Sequence, residues 1–153
     1  MGFLADIAEQ IGSGRRSPVE LVTSCLEAIR QRDGKVQAWA YVDRRGALRQ
    51  AESLAKEVQT SGPRSPLHGI PVGVKDIFDT SDMPTEWGAE PFVGRKPDGD
   101  AALVAQLRKL GAIVLGKTHT TAFAYFDPAP TRNPLNLSHT PGGSTSLLAY
   151  GSS

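Results

Sequence analysis

Apolar positions recur at helical spacing in four stretches of the chain and as short unbroken runs in three more. Leu4, Ile7, Ala8 and Ile11 form the first face, and Gly12-Ser13-Gly14 ends it. Ser17-Pro18-Val19-Glu20 announces a second helix. Ser17 can cap it, Pro18 suits its first turn, and Glu20 completes a capping box. Val22, Cys25, Leu26 and Ile29 are its apolar stripe, with Asp33-Gly34 expected to close it. Ala38 to Val42 predicts a short strand. A third helix follows, with Ala47, Ala51, Leu54, Ala55 and Val58 on one side.

Ser61-Gly62-Pro63-Arg64-Ser65-Pro66 is a cluster of breakers and predicts a loop. Ile70-Pro71-Val72-Gly73-Val74 reads as a buried strand weakened by its Pro and Gly, and residues 79–98 as irregular. Asp100 can cap a helix through Leu110, with Leu103, Val104, Leu107 and Leu110 inward. Gly111 stops that helix, and Ala112-Ile113-Val114-Leu115 makes a further strand. The chain after Phe126 is loop-like. Helices alternating with short apolar strands indicate an α/β layer architecture, and no repeat or composition shift divides residues 1–153 into two domains.

Composition narrows the function classes. Seventeen basic and sixteen acidic side chains leave a formal charge of +1, which supplies no field for nucleic acid or an anionic membrane. No apolar run approaches a membrane span. Cys25 is the single cysteine, so it forms no intramolecular disulfide, and its apolar face points to a core role. Met1 to Asp6 carries an acid early and lacks a basic segment followed by an apolar run, unlike a secretory signal. Gly2 invites a myristoylation reading, but Asp6 stands where that motif takes Ser or Thr. The expectation is a cytoplasmic protein. His68, His119 and His139 are scattered, without a metal-binding spacing, so neither a metal site nor a cofactor is expected.

Three stretches carry possible chemistry. In the first, Lys75 directly follows the strand 70–74. Apolar walls disfavour an ammonium, so Lys75 is either a neutral base or a strand-end lysine reaching water and pairing with Asp76. In the second, Gly111 to Thr118 has bare phosphate-loop spacing, but its four apolar residues between glycines look like a strand. In the third, Pro141-Gly142-Gly143-Ser144-Thr145-Ser146 sets a hydroxyl among bare backbone N–H groups. That suits either an oxyanion site or an ordinary solvent loop.

In their order along the chain these stretches resemble the amidase signature family, which includes bacterial amidases and amidotransferase A subunits. Leu67-His68-Gly69-Ile70-Pro71-Val72-Gly73-Val74-Lys75-Asp76 resembles the family's lysine segment. Asp100 to Val104 and Leu115-Gly116-Lys117-Thr118 resemble the helix and strand that follow it. Thr131-Arg132-Asn133-Pro134 and Thr140-Pro141-Gly142-Gly143-Ser144 resemble the entry to the signature. The resemblance implies a mixed β-sheet flanked by helices and amide hydrolysis by a Lys-Ser-Ser triad. By position, Lys75 takes the place of the base and Ser144 that of the bridging serine. Gly142, Gly143 and Thr145 fall in the substrate and oxyanion region.

The family's nucleophile lies in a second glycine-rich segment beyond the bridging serine, and no residue of this chain is assigned that part. Leu147 to Ser153 does not resemble the small helical residues expected there. Ala122 stands where many relatives carry an acid, which is expected to loosen packing near Lys117. The reading is therefore an incomplete, apparently truncated N-terminal part of an amidase domain, inactive alone. Its substrate in a full-length relative would be a small-molecule amide. Self-association, or a C-terminal half supplied in trans, follows from the strand edges such a piece leaves open. The alternative is a non-enzymatic binding module that reuses the same half. A phosphate-binding enzyme is a third, resting on the spacing from Gly111 to Thr118.

Overall fold

A computed structural model of the chain describes residues 3–125 and 127–142. Its helices are α1 (Phe3–Gly12), α2 (Pro18–Val36), α3 (Arg44–Ser61) and α4 (Ala102–Lys109). Its strands are β1 (Trp39–Val42), β2 (Pro71–Lys75) and β3 (Ile113–Thr118), with short 3₁₀ turns at Glu90–Phe92 and Ala122–Ala124. The strands lie in the order β1-β3-β2, and β1 runs antiparallel to β3. Ile113 N–H donates to Ile70 O and Asp76 N–H to Thr118 O, a pairing that rises along both chains. The strands β2 and β3 are therefore parallel, joined through α4 as parallel neighbours require, and the small sheet is mixed. Among the described residues, no helix is long and apolar enough to cross a membrane.

The chain divides into two compact units. The first comprises the chain up to Ala28, Asp43–Val72 and Ala105–Leu115. Its apolar periodicity is spent as predicted: Ile7, Ile11, Leu21 and Ile70 pack together, with half-buried Cys25 against them. Burial pushes the Cys25 thiol up, as fits a core side chain. Ala47, Ala51 and Leu54 carry the buried face of α3. His68 is buried; its Nδ1 accepts from Arg64 N–H at 3.2 Å, so Nε2 carries the hydrogen and donates to Leu54 O at 3.0 Å. Gly111, at φ +88°, lies so close to His68 that an added Cβ would sit 3.0 Å from its Cα.

The capping box at Ser17 forms: Val19 N–H donates to its Oγ at 3.2 Å and Ser17 N–H to Glu20 Oε2 at 3.2 Å. The far end of α2 departs from expectation, because the helix runs through Asp33-Gly34 to Val36. An interior glycine costs only about 1 kcal/mol relative to alanine, too little to break a packed helix. The break comes at Gln37, whose φ is +54°, and Asp33 Oδ1 accepts from Ala38 N–H at 2.7 Å just beyond it. Two apolar residues expected inside lie outside: Leu4 is 63% exposed and Leu103 is 51% exposed. On α4 only Val104 is fully buried.

The second unit comprises Ile29–Val42, Gly73–Val104 and the described residues from Gly116 onward. Its irregular segment 79–98 is held by side chains rather than by a ladder. Arg95 forms a two-pronged pair with Asp79, at 2.7 and 2.9 Å, while its guanidinium carbon stacks 4.1 Å from the Trp87 ring. Trp87, Phe92 and Phe123 meet in a three-ring cluster with centroids 4.7 to 6.4 Å apart. Asp100 Oδ1 accepts from both the amide and the hydroxyl of Ser81, tying the start of α4 to this segment.

Candidate functional site

All six residues of β3 are buried, including Gly116, Lys117 and Thr118. Gly116 is required by close packing against β1, since a Cβ there would lie 2.9 Å from Val42 Cα. The glycine-lysine-threonine trio is thus strand, not a loop opening a helix, and the phosphate-loop reading falls. Lys117 has no exposed surface. A buried ammonium is tolerated only when paired and hydrogen-bonded. Lys117 Nζ sits 3.0 Å from Asp76 Oδ1, donates to Thr85 Oγ1 at 2.5 Å, and reaches Pro84 O at 3.3 Å. The Asp76 contact is an ion pair, not a well-aligned hydrogen bond.

Asp76 is itself 3% exposed, and every polar group it has is engaged. Its N–H donates to Thr118 O at 3.0 Å, its carbonyl accepts from Trp87 N–H at 3.1 Å, and Oδ2 accepts from Glu86 N–H at 3.0 Å. Asp76, one candidate partner of Lys75 in the sequence, pairs with the fully buried Lys117, whose ammonium also meets Thr85.

Lys75 closes β2 and is half-buried. Its carbonyl accepts from Phe78 N–H at 3.1 Å, so both sides of the Lys75–Asp76 peptide are bonded. Burial holds its amine below the ordinary lysine range. Burial also lowers Lys117, opposed by the Asp76 carboxylate. A cavity of about 260 Å³ is lined among others by Asp76, Glu86, Gly88, His119 and Thr120. Gly88, at φ +64°, is forced there, because a Cβ would come within 2.6 Å of Thr120 O. Burial pulls the His119 imidazole below its usual range, against the carboxylates of Asp33, Asp76 and Glu86. His119 is thus a polar neighbour of the candidate site. Among the described residues no group of three or more His, Cys, Asp or Glu is arranged to hold a metal.

Of the residues singled out in the sequence, Gly142 is exposed and has a left-handed φ of +75°. Gly143, Ser144 and Thr145 lie outside the described residues. The family model for Amidase matches residues 20–147, most of the chain. The chain belongs to the amidase family. That span takes in Lys75, Lys117 and Ser144. Among curated amidase relatives, the glutamyl-tRNA(Gln) amidotransferase A-subunit of Salinispora arenicola is 36% identical over 95% of this chain and 32% of its own length. Its counterpart in Mycobacterium tuberculosis is 38% identical over 92% and 30%. Among solved amidases, the native peptide amidase of Stenotrophomonas maltophilia superposes with a TM-score of 0.87 at 32% identity, over 94% of this chain and 32% of that one. A bacterial aryl acylamidase of the amidase signature family gives a TM-score of 0.81 at 27% identity, over 94% and 31%. The chain spans about a third of the length of these relatives.

The sequence reading singled out Lys75 but not the buried set around its neighbour. A signal was present: a lysine inside the apolar run from Ile113 to Thr118 needs a buried anion or hydroxyl. What the sequence lacks is any local hint that Asp76 and Thr85 would supply them.

Proposed function

We propose that this chain carries the proton-transfer part of an amide-hydrolase site, with Lys75 as base and Ser144 as the bridging serine of a Lys-Ser-Ser mechanism. The observation that carries this reading is Lys75 itself. It stands at the end of a strand, half-buried, with its amine lowered by burial, in a stretch that resembles the family's lysine segment. A lysine lowered by burial gives up its proton more readily than an exposed one, which is the direction a general base needs.

In this reading neutral Lys75 takes a proton from the Ser144 hydroxyl, which takes one from the nucleophilic serine. The serine oxygen then bonds to the amide carbon. Backbone N–H groups of the Gly142-Gly143-Ser144-Thr145 stretch suit the oxyanion. The C–N bond breaks as the proton returns through Ser144 to the leaving nitrogen, and water then splits the acyl-serine. No residue within 1–153 is assigned the nucleophile's part, so the 153-residue polypeptide by itself is expected to turn over no amide. The nucleophile would come from the rest of an amidase domain, in the same polypeptide or supplied in trans. The substrate class is a small linear amide, and nothing narrows it further.

The test is a chimera in which residues 1–147 replace the matched region of the Stenotrophomonas peptide amidase, assayed for ammonia release from a peptide amide. The chimera should be active and the 153-residue polypeptide inactive. Lys75→Met should cut the chimera's rate by about 10²–10⁴-fold or more. Full activity with Met at position 75, or turnover by the polypeptide alone, would sink the reading.

A further inference from the structure

The structure buries a second lysine one strand away from Lys75, and the chemistry proposed above does not use it. Burying an ion pair is seldom the stablest way to fill a core, since well-packed apolar residues often do as well or better. What such a pair can do is hold one arrangement, and the residue held here is Asp76, covalently next to the candidate base. Lys117 grips Asp76 Oδ1 at 3.0 Å from the strand β3. Its other bonds, to Thr85 Oγ1 at 2.5 Å and Pro84 O at 3.3 Å, anchor the segment that meets Asp76 from the opposite side. That same segment donates Glu86 N–H and Trp87 N–H to Asp76. One ammonium therefore ties three pieces of chain to a single residue: the end of β2, the end of β3 and residues 84–87.

We propose that Lys117 is a positioning residue, whose buried ammonium clamps Asp76 between β3 and residues 84–87 and thereby fixes the root of the Lys75 side chain. The proposal rests on the reading of Lys75 as the base. Lys117 touches neither substrate nor reacting atoms; it acts through the Lys75–Asp76 peptide, whose carbonyl and N–H are held by Phe78 N–H and Thr118 O. A clamp of this kind keeps Lys75 in its half-buried setting. Once the clamp is loosened, the amine reaches water and behaves as an ordinary lysine.

The experiment leaves every charge in place. In the full chain, Thr85→Val removes the hydroxyl that receives the Lys117 ammonium and keeps the shape, while Thr85→Ser keeps the hydroxyl. Trace acetic anhydride labels lysines in proportion to their neutral fraction. Mass spectrometry of the peptide bearing Lys75, across pH, gives the midpoint of its titration. The expected result is a wild-type midpoint below that of an exposed lysine, an upward move in folded Thr85→Val, and restoration in Thr85→Ser. An unchanged Lys75 midpoint in folded Thr85→Val overturns the clamp while leaving the base reading intact. An ordinary midpoint already in the wild type overturns the base reading itself. If Thr85→Val does not fold, hydrogen exchange in the wild type decides. The Asp76, Glu86 and Trp87 amides must exchange no faster than those of β3, and faster local exchange at these three overturns the clamp.

Discussion

The two units of this chain are built on different chemistry. The first buries Ile7, Ile11, Leu21 and Ile70 in an ordinary apolar core. The second also buries apolar residues, among them Val36, Ala38, Val74, Met83 and Val104, but adds a polar set of Lys117, Asp76, Thr80, Thr85, Thr118, Thr120 and Thr131, most of them with less than 3% of their surface exposed. An apolar core gains free energy roughly in proportion to area and tolerates imprecise neighbours. A polar core gains little from area, and each group needs a partner at hydrogen-bond distance or becomes a liability. The first unit therefore draws mainly on apolar burial, while the second adds a polar set arranged around Asp76, and the candidate base Lys75 belongs to that second unit.

The sharpest way to break this comparison is to unpair the polar core. Lys117→Ala leaves Asp76 as an uncompensated buried charge and should cost about 3–5 kcal/mol in denaturant unfolding. The double variant Lys117→Met with Asp76→Asn should recover part of that loss, since no lone charge remains; no recovery would mean that the pair is not acting as an ion pair. In the apolar core, Ile11→Ala should cost about 3 kcal/mol through lost transfer energy and a cavity. Unlike Lys117→Ala, it should leave the acetic anhydride titration of Lys75 unchanged in the folded protein. Equal effects of the two variants on Lys75 would erase the distinction between the units.

Smaller effects refine the same picture. Ser17→Ala removes the cap at the start of α2, in the first unit, and should lower stability by about 1 kcal/mol without touching Lys75. The smallest effect belongs to Asp79, in the second unit, where the Arg95 guanidinium holds its carboxyl below the usual range. Because the folded carboxyl gives up its proton more readily than the unfolded one, the pair contributes above the unfolded range, near about pH 3.9, and its contribution fades as pH falls through the folded value. Unfolding curves of wild type and Asp79→Asn should thus converge on acidification. A gap that does not change with pH would contradict this assignment.

How much of the molecule could be read in the sequence follows the same divide. Helical spacing of Ile7, Ile11, Val22, Leu26, Ala47, Ala51 and Leu54 located α1, α2 and α3, and the Ser17 box marked a helix start to the residue. The errors were local ones. Gly34 was given more power to end a helix than its modest cost allows, and Leu103 was turned inward by periodicity although α4 buries only Val104 fully. The strand β3 was predicted to stop at Leu115, yet it continues to Thr118 wholly buried. That extension depends on Asp76 and Thr85, residues distant in sequence, and no local pattern encodes such a pairing. Lys75 became a candidate through its place after an apolar strand and its resemblance to a family motif. The clamp beside it had no comparable signature.

The central claim is that Lys75 works as the neutral base of an amide hydrolase. Its most direct test is the pH dependence of kcat/KM for the chimera with the peptide amidase, with Lys or Met at position 75. The account predicts a rate that climbs with pH as Lys75 loses its proton, and a residual rate in Lys75→Met from which that limb has vanished. A limb that persists unchanged in Lys75→Met would place the base elsewhere and contradict the account.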